Sequence, residues 1–97
     1  MDPNLVKPNA WDDIHIILND TSWGYSLIFG EFNGNYCLGM RWNGNANERG
    51  YPGQGANPLW FVVPDPFETA ILSQLSTMAS NPTVNKDALK KAIDNLT

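Results

Sequence analysis

Two runs rich in apolar residues, 25–32 and 35–42, flank a single Asn33-Gly34 pair. A two-residue type I′ turn needs positive φ at both central positions, which Asn and Gly tolerate, so the two runs are predicted to form a β-hairpin. That turn sets Phe32 opposite Asn35, Phe29 opposite Leu38, Leu27 opposite Met40 and Tyr25 opposite Trp42, and opposed residues share a face. One face then carries Tyr25, Leu27, Phe29, Leu38, Met40 and Trp42, and the other Ser26, Ile28, Gly30, Phe32, Cys37, Gly39 and Arg41. The first is the predicted core face, because a one-residue slip would mix the two sets.

Residues 14–18 are β-branched and predict a short strand, ended by the turn-formers at 19–24. Residues 59–63 are an almost unbroken apolar run, predicted as a central strand covered on both faces. Asp65-Pro66-Phe67-Glu68 predicts a helix start, with Asp65 as N-cap, Pro66 in the first helical position and Glu68 completing a capping box. Phe67, Ile71, Leu75 and Met78 then form one apolar stripe, and Asn81-Pro82 ends the helix. A second helix is predicted from about Asn85, with Leu89, Ile93 and Leu96 on one side. Strands followed by helices give an α+β fold, here an antiparallel sheet of about four strands with two C-terminal helices packing on one face. Pro3 and Pro8 interrupt residues 1–10, which read as a flexible arm preceding a single domain over 11–97.

The helices leave the second hairpin face without a partner. Gly30 and Gly39 remove side chains from it and predict a shallow trough between Ile28, Phe32, Cys37 and Arg41, closely approached by something. The candidates are the arm with Trp11, the second helix, and the same face of a twofold mate. The mate is the expectation, since an open apolar trough on a weakly charged protein invites association. Residues 43–58 show no apolar periodicity, and loops of that length in a compact domain tend to carry function. Asn43, Asn45, Asn47, Glu48, Arg49, Tyr51 and Gln54 offer adaptable hydrogen bonding around one aromatic ring, the profile of a recognition loop. Tyr25, Phe29, Trp42, Phe61 and Phe67 fit the predicted core, whereas Trp11, Trp23, Phe32 and Tyr51 fall outside it, and exposed aromatic clusters favour interfaces.

Composition narrows the chemistry. With 97 residues and 42% hydrophobic content there is one core and no room for a separate cofactor domain. No apolar run approaches the roughly 20 residues of a membrane span, and the first residues lack a signal peptide's apolar stretch, so a cytoplasmic location is expected. The formal charge is −4, and between Pro8 and Asn85 the only cations are Arg41 and Arg49, which disfavours nucleic acid and anionic membranes. His15 is the only histidine and Cys37 the only cysteine. Neither sits in a nucleophile motif or at a metal-ligand spacing, so an enzyme using His15 and Cys37 is the least supported reading, and no metal or cofactor is expected. Gly50-Tyr51-Pro52-Gly53-Gln54-Gly55 matches neither G-x-G-x-x-G nor a P-loop, and leads into a strand where anion binding wants a helix N-terminus.

Four strands and then a helix, with Arg41-Trp42 closing the third strand and Pro52-Gly53 before the fourth, resemble in order the dimeric single-stranded-DNA-binding transcriptional coactivators. The resemblance implies a sheet that binds single-stranded nucleic acid, with Arg41 and Arg49 as phosphate contacts, but the basic sheet of those proteins is absent. The leading expectation is a non-enzymatic binding and assembly module, homo-oligomeric with a dimer favoured. It would meet a protein partner through the uncovered sheet face and loop 43–58, using Trp11, Ile28, Phe32, Cys37, Arg41, Arg49, Tyr51 and Gln54.

Overall fold

In the computed structural model, which describes residues 1–45 and 47–97, strands β1 (Trp11–Asp20), β2 (Tyr25–Phe32) and β3 (Asn35–Trp42) precede a small pair, β4 (Gly53–Gln54) and β5 (Asn57–Pro58). Strand β6 (Phe61–Val62) and helices α1 (Asp65–Thr77) and α2 (Lys86–Leu96) complete the chain. The main sheet is antiparallel in the order β1-β2-β3-β6, so the fold is α+β with two C-terminal helices. Asn33 and Gly34 have φ of 49° and 88°, and β2 pairs β3 in the register the turn dictates, from Phe32 opposite Asn35 to Tyr25 opposite Trp42.

β1 is longer than predicted and carries two irregularities against β2, one between Asp12 and His15 and one between Ile16 and Leu18. Each adds a residue to β1 and turns its side chains. Asp13 takes φ of 50° at the first. After the second, Ile17 and Leu18 both pack on the helix side of the sheet, while Ile14 and Ile16 pack on the other.

The predicted central strand at 59–63 is instead a two-residue edge strand. β6 pairs only with β3, through Gly39–Val62 and Met40–Phe61. Val63 N–H still donates to Leu38 O at 2.9 Å, and the chain then turns through Pro64 into α1, so Leu38 N–H loses its ladder acceptor. Glu68 Oε2 accepts that N–H at 3.0 Å. The predicted capping box therefore does not form: Pro64 is the N-cap of α1 without a side-chain bond, and Glu68 is buried against β3. The prediction for α2 holds, with Asn85 Oδ1 accepting from Ala88 N–H at 3.1 Å.

Both sheet faces are covered. On one side the helices bury Leu27, Phe29 and Leu38 with Leu72, Leu75 and Leu89. On the other, Val6, Trp11, Ile28 and Trp60 form a second cluster. The face expected to await a twofold mate is thus closed within one chain. Trp11 lies across the two glycines, and a Cβ on Gly39 would come within 2.9 Å of Trp11 and of Ile28. The first ten residues, expected to be a flexible arm, make a 3-10 turn at Pro3–Leu5 and bury Val6, whose carbonyl accepts from Trp60 Nε1 at 2.8 Å. Among the described residues no helix is long and apolar enough to cross a membrane.

Candidate functional site

The helix side of the hairpin is longer than the helices that cover it. An eight-residue strand spans about 27 Å, and the 13 residues of α1 about 20 Å. At the end remote from the turn, Tyr25 and Trp42 meet edge to face, their centroids 5.9 Å apart. Trp42 is 55% exposed there. Tyr51 is fixed beside it by a pair of backbone bonds, Trp42 N–H to Tyr51 O at 2.7 Å and Tyr51 N–H to Trp42 O at 2.9 Å. Phe61, opposite Met40 in the ladder, shares that face.

Tyr25, Met40, Arg41, Trp42, Tyr51, Pro52 and Phe61 line a groove of about 360 Å³ whose exposed wall is almost wholly apolar. A shallower depression shares Met40 and Phe61 and continues over Val63, Pro64, Phe67 and Ile71 of the α1 side. Tyr51, Phe61 and Phe67 are 68%, 50% and 61% exposed. The result is one continuous apolar surface with rings projecting from it and a groove between them. A wall with so little polar surface suits apolar side chains.

Loop 43–58, of which Ala46 lies outside the described residues, is shaped from beneath by Arg41. This side chain is buried. Its Nη1 donates to Pro52 O at 3.3 Å and to Leu59 O, and its Nη2 donates to Arg49 O. Its Cζ lies 5.8 Å from the centre of the Trp60 ring. Burial, followed by the charge of Arg49, pulls its pKa below the usual arginine value. The guanidinium that the coactivator resemblance offered to phosphate is spent on loop carbonyls. Arg49 is half-buried, and its Nη1 donates to Gly50 O at 3.0 Å.

A polar cluster lies at the other end of the sheet. His15 Nε2 and Asp13 Oδ1 are 2.8 Å apart, and the Tyr36 hydroxyl donates to Asp13 Oδ2 at 3.1 Å. The bond from Tyr36, then that from His15, holds the Asp13 carboxyl below its ordinary range, and the same contact raises Tyr36. His15 stacks on Phe29 on the helix side. Cys37 packs with Trp11 and Val6 on the opposite face, where burial, and then the charge of Glu68, push its thiol up to about 11. The structure does not bring His15 and Cys37 together.

Of the residues singled out from sequence, Trp11, Ile28, Phe32 and Cys37 belong to the arm-side cluster, with Trp11 and Phe32 rings 5.2 Å apart. Gln54 is exposed on β4, while Tyr51 joins the aromatic surface and the buried Arg41 borders its groove. Trp42, Phe61 and Phe67, assigned to the core from their spacing, are exposed instead. For Trp42 and Phe61 the pattern identifies the sheet face but not how far the helices reach along it; for Phe67 the stripe itself is displaced, because α1 buries Glu68, Leu72 and Leu75 and leaves Phe67 on its open side. The signal that could have found Trp42 and Phe61 is the mismatch in length between two short helices and a hairpin followed by another strand. A scan of family models, a search of curated proteins and a search of solved structures find no match to this chain.

Proposed function

We propose that the protein is a non-enzymatic binding and assembly module that dimerises through its aromatic face, with loop 43–58 beside that face contributing to recognition of a protein partner. The observation that carries this reading is the set of four rings, Trp42, Tyr51, Phe61 and Phe67, each half or more exposed on one contiguous apolar surface. Isolated exposed apolar residues are ordinary, whereas a contiguous patch of this kind marks an interface. A second copy is the occupant because the same face holds both projecting rings and an apolar groove to receive them, which is what an isologous contact requires. Aromatic anchors seated in apolar pockets are the usual centre of such contacts. We place the module in the cytoplasm, where a lone thiol stays reduced.

Sedimentation equilibrium on the wild type and on Phe61→Ser and Trp42→Ser tests this. The wild type is expected to dimerise at high micromolar concentration and both variants to remain monomeric with unchanged circular dichroism. A wild type that stays monomeric at that concentration, or variants that dimerise as well as it does, overturns the reading.

A further inference from the structure

Asn-Gly occurs twice in this chain, at Asn33-Gly34 and at Asn43-Gly44. Glycine has no Cβ to shield its own nitrogen, so in this dipeptide that nitrogen can reach the amide carbon of the preceding side chain, and asparagine is a thermolabile residue. The sequence treats the two pairs alike. Their backbones are alike too, since Gly34 and Gly44 both have positive φ, 88° and 73°.

The fold separates them by cover. Asn33 and Gly34 are the two central residues of the β2–β3 turn, and both are exposed. A Cβ placed on Gly34 would meet no atom within 4 Å, and the Gly34 N–H donates to no backbone carbonyl among the described residues. Asn43, in contrast, is buried, and its Nδ2 donates to the buried Ser26 Oγ at 2.9 Å. Gly44 is overlaid by its own loop: a Cβ on it would lie 2.7 Å from Gly50 N and 3.1 Å from Glu48 O.

We propose that Asn33 is a deamidation site, converted in the folded protein by the Gly34 nitrogen, while Asn43 is protected by its burial against Ser26. The Gly34 nitrogen gives up its proton to solvent base and bonds to Asn33 Cγ, closing a cyclic imide; the Cγ–Nδ2 bond breaks, and Nδ2 takes a proton from water and leaves as ammonia. Water then opens the imide. Attack at Cγ returns the ordinary main chain with an aspartate side chain, and attack at the main-chain carbonyl carbon leaves an isoaspartate, whose main chain runs through Cγ.

The two products differ in what they do to the hairpin. Asp-Gly suits the same type I′ turn, so the aspartate product keeps the register and adds one negative charge to the formal −4. Isoaspartate puts an extra carbon into the main chain of a two-residue turn whose length sets the register, so the turn no longer fits its strands. Asn33 N–H also donates to Ala10 O at 3.0 Å, tying the turn to the residue before Trp11, so the isoaspartate product loosens the start of β1 as well. The site is at the opposite end of the hairpin from Trp42, and this inference stands or falls independently of the dimer.

The test incubates the full chain at mildly alkaline pH, with and without urea, and follows charge by ion exchange and each site by peptide mapping in a mass spectrometer. In the folded protein Asn33 is expected to convert about tenfold faster than Asn43, which must first leave its buried hydrogen bond; in urea the two are expected to convert at similar rates. Asn33→Gly, which keeps a turn-compatible pair without the amide, is expected to lose the rapid charge gain. The isolated isoaspartate fraction is expected to melt below the starting protein, with shifted amides at Trp11, Phe32 and Asn35, whereas Asn33→Asp melts with the wild type. Equal rates at the two sites in the folded protein, faster conversion at Asn43, conversion at neither site without urea, or an isoaspartate fraction with wild-type melting and amides overturns the proposal.

Discussion

Glu68 is a carboxyl group taken out of water to satisfy one strand N–H. Burial pushes its pKa above the ordinary 4.5, the bond from Leu38 pulls it back, and Asp65 pushes it up again, leaving it raised. A folded-state pKa above the unfolded one means that the folded chain binds the proton more tightly. This group's stabilising contribution is therefore complete below about pH 4.5 and is lost as the pH rises through the raised value. In urea titrations the wild type is expected to lose stability relative to Glu68→Gln across that window, because Gln keeps an acceptor for Leu38 N–H and does not ionise. A difference between the two that is independent of pH would show that the carboxyl is not buried in solution. Glu68→Ala, which leaves Leu38 N–H unpaired, is expected to cost about 1–3 kcal/mol. Arg41 plays the corresponding part for loop 43–58, holding the carbonyls of Arg49, Pro52 and Leu59 in one planar fork. Arg41→Lys offers a compact ammonium in place of that fork and is expected to cost on the order of 2 kcal/mol. Limited proteolysis should then cut within 43–58 while β2 and β3 stay protected; an uncut loop would mean that Arg41 does not hold it.

At the scale of elements, the arm and the sheet depend on two glycines. Gly39 faces Trp11 and Ile28 at distances that leave no room for a Cβ. Gly39→Leu is expected to lift Trp11 and the arm off the sheet at a cost of about 1–3 kcal/mol, the range for overpacking a filled core. The indole resonance of Trp60, whose Nε1 is bonded to Val6 O, should move toward its solvent position. The helix-side core of Leu27, Phe29 and Leu38 is a separate cluster and should keep its methyl and ring contacts. An unchanged melting temperature together with an unmoved Trp60 resonance would show that the arm does not rest on this face in solution.

For the whole molecule, the exposed aromatic surface predicts thermodynamic coupling between folding and association. A dimer binds the folded chain only, so the wild-type melting temperature is expected to rise with protein concentration. The double variant Trp42→Ser with Phe61→Ser removes rings that are largely outside the core. It should melt at a temperature independent of concentration and lie within about 1 kcal/mol of the wild-type monomer. A concentration-dependent melt in the double variant would place the contact on another surface.

The hairpin was legible in the sequence because its determinants are local: Asn33-Gly34 admits one tight turn, that turn admits one register, and the register separates two faces without contradiction. The start of α2 at Asn85 is local in the same sense, since an N-cap acts within its own first turn. The local pattern points Glu68 to a capping box, but its carboxylate is taken by Leu38 N–H of the neighbouring strand, a donor left free only once Pro64 has turned the chain away. Trp11 and Trp42 exchanged their expected places for the same physical reason. Apolar character fixes which residues seek cover, whereas cover is supplied by segments distant in sequence: the arm reaches Trp11, the helices leave Trp42 and Phe61 uncovered, and α1 turns Glu68, Leu72 and Leu75 rather than Phe67 to the sheet. Sequence determined the faces of this sheet; the lengths and meeting points of the packed elements decided which parts of those faces are covered and which stay exposed.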